Sequence, residues 1–142
     1  MKIYVLNGVN LKRLGRRQPE IYGCETLRSL NRRLKKYAAR KNVRLKFFCT
    51  DSECAMVKKI SDAKCDAIVI NPGAWSHYSY AVRDAVAACG VPVVEAHLSD
   101  ITAREPFRKI RVLDGVVAAV FYGEGAGSYE KAIDFLTREK EL

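Results

Sequence analysis

The chain has 142 residues, 49% of them apolar and 29% charged, with 25 Lys and Arg against 16 Asp and Glu for a formal net charge of +9. That length fits one compact domain spanning residues 1–142, and the apolar content excludes wholesale disorder. No apolar run approaches the eighteen or so residues needed to cross a bilayer, so no membrane partner is expected.

Short β-branched runs alternate with helical patterns from one end to the other. A strand is predicted at Lys2 to Leu6, reached at once from Met1 without an apolar leader, so a cytoplasmic protein is expected. A long loop follows, Asn7 to Gly23, and a loop of that length is expected to be functional. A helix from Thr26 to Arg40 carries Leu27, Leu30, Leu34, Tyr37 and Ala38 at helical spacing. The cations Arg28, Arg32, Arg33, Lys35, Lys36 and Arg40 fall on its outer face, with Lys41 just beyond. This reads as a solvated basic face, and no nucleic-acid partner is expected. Then come a strand at Arg44 to Phe48, a helix at Glu53 to Ala63, a strand at Ala67 to Ile70, a helix at Ser79 to Ala88, strands at Pro92 to Glu95 and Val116 to Phe121, and a helix at Ser128 to Lys140.

This alternation implies βαβ units: an α/β, flavodoxin-like, doubly wound five-stranded parallel sheet in three layers. Ala67 to Ile70 and Val91 to Val94 are continuously apolar, as strands covered on both faces should be, and are expected near the centre. In such sheets ligands bind beyond the carboxyl ends of the strands. The segments after strands one, three and four, Asn7 to Gly23, Asn71 to His77 and His97 to Arg108, are therefore expected to meet at one edge. They would gather Asn10, Arg16, Arg17, Tyr22, Asn71, Ser76, His77, His97, Ser99, Arg104 and Arg108.

The five cysteines are odd in number and lack a C-x-x-C pair, and with only two histidines a metal site is not expected. Gly123-Glu124-Gly125-Ala126-Gly127 invites comparison with a phosphate-binding loop. It follows the last strand, however, and does not match G-x-G-x-x-G, so a turn into the final helix is expected. Asn7 and Asn71 stand where a phosphorelay receiver would carry its acidic residues, and there is no G-x-S-x-G elbow.

The run Leu6-Asn7-Gly8-Val9-Asn10-Leu11, continued by Leu14-Gly15-Arg16-Arg17-Gln18-Pro19-Glu20-Ile21-Tyr22-Gly23, resembles the first signature of the type II 3-dehydroquinate dehydratases. Asn71-Pro72-Gly73-Ala74-Trp75-Ser76-His77 resembles their second. Glu95-Ala96-His97-Leu98-Ser99 with Ala103-Arg104-Glu105-Pro106-Phe107-Arg108 resembles their third. The resemblance implies anti elimination of water from 3-dehydroquinate through an enolate, in the shikimate/quinate pathway, with no metal and no cofactor. It implies Tyr22 as base, Arg17 as its activator, Asn10 as a stabiliser of the enolate, and His97 as general acid oriented by Glu95. It further implies substrate contacts from Asn71, Gly73, His77, Leu98, Ser99 and Arg108, with Asp84 entering from a neighbouring subunit of a homododecamer built from trimers.

The residue types suit those roles. A phenol of pKa near 10 is about 0.1% ionised at pH 7, and a guanidinium that brought it to ~8 would raise this to roughly 10%, an effect of about 2.7 kcal/mol. Arginine remains protonated throughout, and imidazole exchanges protons near neutrality. The chain departs from the family pattern at Val9, at Lys12 and Arg13, over Thr50-Asp51-Ser52-Glu53-Cys54, and at Asp100. These positions leave the implied base and acid in place and bear on the lid, substrate affinity and subunit packing.

Overall fold

The computed structural model describes residues 1–16, 18–22 and 24–141, apart from the side chains of Tyr22 and Glu141. Among the described residues the strands are β1 (Lys2–Asn7), β2 (Arg44–Cys49), β3 (Ala67–Asn71), β4 (Val93–Ala96) and β5 (Ala119–Phe121). The helices are α1 (Pro19–Tyr22), α2 (Leu27–Ala39), α3 (Glu53–Ser61), α4 (Tyr80–Ala88) and α5 (Ala126–Glu141), with short 3₁₀ segments in several connections. All pairings are parallel and the strand order is β2-β1-β3-β4-β5. This is the doubly wound order expected from the alternation of elements, and it reverses direction between β1 and β3.

Strand alternation builds the two cores. Ile3 and Val5 of β1, Val69 of β3 and Val94 of β4 point to one face, where they meet Leu30, Leu34 and Ala38 of α2 and Tyr129, Ile133 and Leu136 of α5. Tyr4, Leu6, Ile68, Ile70 and Val93 point to the other, against Met56 and Ile60 of α3 and Val82 and Val86 of α4. Residues 67–70 of β3 are fully buried, as a central strand covered on both faces requires.

Helix α2 starts at a reciprocal capping box in which the Thr26 hydroxyl accepts from the Ser29 amide and the Ser29 hydroxyl accepts from the Thr26 amide. Its cations stand on the exposed face. Its other flank is tied to α5, Arg33 Nε donating to Glu130 at 2.9 Å and the Tyr37 hydroxyl donating to Asp134 at 2.8 Å. Burial and the Asp134 carboxylate together push the Tyr37 phenol up to about 12.

Several boundaries differ from the sequence expectation. β5 begins at Ala119 rather than Val116, because residues 113–117 close on themselves through turns, Val116 and Val117 both donating to the Leu113 carbonyl. Their β-branched side chains are used for packing against the second core instead of for pairing. α3 ends at Ser61, two residues early. α5 begins at Ala126 rather than Ser128, since the turn takes only Gly123 and Gly125 at positive φ and Gly127 is already helical. β4 begins at Val93, leaving Pro92 to contribute only its carbonyl, which accepts from Ile68.

Candidate active site

The three expected segments converge beyond the carboxyl ends of β1, β3 and β4. They enclose a cleft lined by residues 9–11 and 14 from the first, Asn71, Gly73, Ala74 and His77 from the second, and His97, Leu98, Ser99, Ile101, Arg104 and Arg108 from the third. The segment after β1 is not a structureless loop. It makes a 3₁₀ turn at Leu11–Arg13, buries Leu11 and Leu14 in the first core, and later forms α1.

Close backbone approach holds the first two segments together. Gly8 donates to the Asn71 carbonyl at 2.7 Å, and a Cβ on Gly8 would come within 2.5 Å of the Pro72 carbonyl oxygen. Gly73 has φ +62, and a Cβ there would lie 2.7 Å from the Val9 carbonyl. Both positions therefore require glycine. Asn10 is exposed at the lip of the cleft in the left-handed conformation, φ 68, with its backbone N–H donating to the Asp51 carboxylate at 2.8 Å.

At the floor, Glu95 and His97 project to the same side because they are two residues apart on an extended segment. Glu95 is fully buried and His97 nearly so. His97 Nε2 lies 2.6 Å from Glu95 Oε1, and the same oxygen accepts a hydrogen bond from the Ser76 hydroxyl. An ionised carboxylate only accepts, so Nε2 carries a proton and Nδ1 is the nitrogen left for a ligand. No protein donor among the described residues reaches Glu95 Oε2.

The His77 ring stacks near that of His97, with centroids 6.4 Å apart. Its Nδ1 lies 2.7 Å from the Ile110 carbonyl and must donate to it, which leaves Nε2 as an acceptor. Burial, opposed by the Ile110 carbonyl and reinforced by the positive charge of Arg108, holds the His77 imidazole below its ordinary range. Arg108 is itself held by Glu105, Nε to Oε2 at 2.5 Å, with Arg104 3.9 Å from the same oxygen. Those guanidinium groups, Arg108 first, keep the Glu105 carboxyl below the usual carboxylate range.

Of the residues singled out in the sequence, Asn10, Asn71, Gly73, His77, His97, Leu98, Ser99, Arg104 and Arg108 line the cleft, and Glu95 stands directly behind His97. Arg16 is exposed and is not among the lining residues. Asp84 is exposed on α4, outside the cleft. Arg17 and the side chain of Tyr22 lie outside the described residues.

Three residues take parts that the sequence did not assign: Ser76 is expected at this edge without a partner, Asp51 is noted only as a departure from the family pattern, and Tyr129 is not singled out at all. Ser76 shares the Glu95 oxygen, Asp51 holds the Asn10 backbone, and Tyr129, fully buried on α5, places its hydroxyl between Asn7 and Asn71. A sequence signal for the last existed. Asn7 follows Ile3 and Val5 in parity, and Asn71 follows Ala67 and Val69, so both amides point to the α5 face and need polar partners there.

A doubly wound α/β sheet with a carboxylate–histidine pair and a second histidine in its carboxyl-edge cleft has the groups that acid–base chemistry on a small polar molecule requires. The family model for class II dehydroquinase matches residues 1–137. A curated 3-dehydroquinate dehydratase from Bacillus licheniformis is 45% identical over 135 residues, covering 94% of this chain and 93% of the relative. The crystal structure of the type II dehydroquinase from Butyrivibrio crossotus matches with a TM-score of 0.94 at 41% identity, covering 96% of this chain and 97% of that one. The corresponding enzyme from Propionibacterium acnes gives 0.92 at 42% identity, with 96% of each chain covered. The chain belongs to the class II dehydroquinase family.

Proposed function

We propose that this protein is a 3-dehydroquinate dehydratase, a hydro-lyase that converts 3-dehydroquinate into 3-dehydroshikimate and water by anti elimination through an enolate. The observation that carries this reading is the buried Glu95–His97 pair behind a cleft lined by Asn71, His77, Ser99 and Arg108, in a member of this family.

In the first step Tyr22, as phenolate, removes the proton alpha to the ketone, and the electron pair moves onto the carbonyl oxygen as an enolate. Arg17 keeps the phenolate ionised by its fixed positive charge. Asn10 stabilises the developing oxyanion through a water, supplying a dipole oriented before the reaction begins. In the second step the enolate collapses, the carbon–hydroxyl bond breaks, and His97, entering the step protonated on both ring nitrogens, gives its Nδ1 proton to the departing hydroxyl so that water leaves. Glu95 fixes which imidazole nitrogen faces the leaving group.

Asn71, Gly73, His77, Ser99 and the backbone of Leu98 hold the substrate hydroxyls and carboxylate, with Arg108 supplying the positive charge. The ketone activates the carbon to be deprotonated and the imidazole protonates the leaving group, so the sequence of steps uses no metal and no cofactor.

Asp84 completes the site from a neighbouring subunit of a homododecamer built from trimers. Its exposure on α4 supports this, as does the exposure of Tyr78, Tyr80, Phe107 and Ile110 in the segments flanking the cleft. Among the described residues no helix is long and apolar enough to cross a membrane, and we place the enzyme in the cytoplasm.

The test is the ultraviolet rise of the conjugated enone when purified protein meets 3-dehydroquinate. A flat trace at micromolar protein refutes the activity. Tyr22→Phe and Arg17→Ala each lower kcat by orders of magnitude in a folded protein, and near-normal turnover in either reassigns the base.

A further inference from the structure

Asn7 and Asn71 are register partners at the carboxyl ends of β1 and β3, and each is almost wholly removed from water, at 1% and 4% exposure. Between them stands the hydroxyl of Tyr129, a residue with no exposure at all, carried by α5 from the far end of the sequence. The hydroxyl donates to Asn7 Oδ1 at 2.6 Å and accepts from Asn71 Nδ2 at 2.8 Å. Asn71 Oδ1 in turn accepts from the Gly73 amide at 3.1 Å.

The polarity of this chain is determined. A phenol has one proton, and burial raises the Tyr129 pKa, so the proton stays on the oxygen and is committed to Asn7. Toward Asn71 the phenol can then only accept, which requires a nitrogen there. The Gly73 amide can only donate, which requires the Asn71 oxygen on its side. The Gly73 contact therefore selects the orientation of the Asn71 amide, and the single phenolic proton, given to Asn7, agrees with it. Each end keeps one unused function, an N–H and a carbonyl lone pair, and Asn71 lines the cleft whereas Asn7 and Tyr129 do not.

We propose that Tyr129 is a positioning residue for substrate binding, its hydroxyl fixing the Asn71 amide so that one N–H and one carbonyl lone pair are presented to the ligand in a single orientation. The proposal deepens the dehydratase reading and rests on it. Without the hydroxyl, the Asn71 nitrogen keeps a buried N–H with no partner, and the amide gains by turning away from its binding orientation. An interaction of this kind, made equally with bound substrate and transition state, changes KM and leaves kcat alone.

Steady-state kinetics with 3-dehydroquinate, together with thermal melts, provide the test. Tyr129→Phe is expected to raise KM about tenfold with kcat within about twofold of the wild type. Asn71→Ala raises KM at least as far, and adding Tyr129→Phe to it raises KM no further, because the tyrosine acts through the amide. Leu136→Ala, at a fully buried position on the same helix, lowers Tm comparably but leaves KM unchanged.

Should Tyr129→Phe not fold, Asn7→Ala keeps the ring and removes only the acceptor that commits its proton, and the same rise in KM is expected. An unchanged KM in the folded variant, additive effects in the double variant, or an equal rise in KM from Leu136→Ala overturns the proposal while leaving the dehydratase reading intact. No turnover by the wild type overturns both.

Discussion

Replacing Glu95 by glutamine separates the geometry of the acid–base pair from its charge. The carboxylate is fully buried, and a single oxygen accepts from both His97 Nε2, at 2.6 Å, and the Ser76 hydroxyl. Glutamine has nearly the same shape, and its carbonyl oxygen can occupy that position, so both bonds survive as neutral ones. A hydrogen bond to a charged group contributes about 1.5–3 kcal/mol and a neutral one about 0.5–1.5, so each bond weakens by roughly 1–1.5 kcal/mol. At 1.4 kcal/mol per factor of ten, loss of support for the His97 ring alone lowers kcat about tenfold. Coupling through the shared oxygen extends this toward a hundredfold. KM stays within a few-fold, because Glu95 lies behind the histidine and does not line the cleft.

Stability is expected to change little. The substitution removes a buried charge, one of whose oxygens finds no donor among the described residues, and replaces it with an amide whose nitrogen is similarly unpartnered. The enone assay gives kcat and KM, and a thermal melt gives stability. A kcat within twofold of the wild type in a folded Glu95→Gln variant would refute the argument that this carboxylate organises the acid.

Three further outcomes can be checked separately. His77 has its pKa below the ordinary 6.5, so between that value and the lower folded-state pKa the unfolded chain binds more protons and stability falls with falling pH. The Tm of the wild type minus that of His77→Gln should therefore decrease from pH 7 to pH 5; a difference that is flat or grows toward acid contradicts the assignment. Asp51→Ala removes the acceptor that holds Asn10 in its left-handed conformation and is expected to lower kcat/KM about fivefold, while Asp51→Asn retains most of the activity. Equal kcat/KM in Asp51→Ala and wild type would show that the lip holds its shape without that bond. Thr26→Ala breaks the capping box of α2 and should cost about 1 kcal/mol, lowering Tm by about 3 °C in a chain of this size, as followed by circular dichroism.

The layer architecture, the central position of the continuously apolar β3 and β4, and the edge at which three segments meet were all legible in the order of the amino acids. These follow from local periodicity: an amphipathic helix or a doubly covered strand carries its burial pattern in its own residues. The motifs Asn71 to His77 and Glu95 to Arg108 named most of the cleft, since their side chains reach it from consecutive positions on one turn or strand end. Boundaries were less legible where two uses of a residue compete locally, as at Val116 and Val117, which pack from a turn although their composition suits a strand.

Which polar groups share a hydrogen bond became legible only in the folded chain. The Ser76 hydroxyl reaches Glu95 across 19 residues, the Asp51 carboxylate reaches the Asn10 amide across 41, and the Tyr129 hydroxyl reaches Asn7 across 122. A buried hydroxyl on a helix looks like any other core aromatic until the fold brings an amide opposite it. The parity of Asn7 and Asn71 announces that a partner is needed on the α5 face, but the register between strand and helix, set by packing of the whole core, selects which residue supplies it.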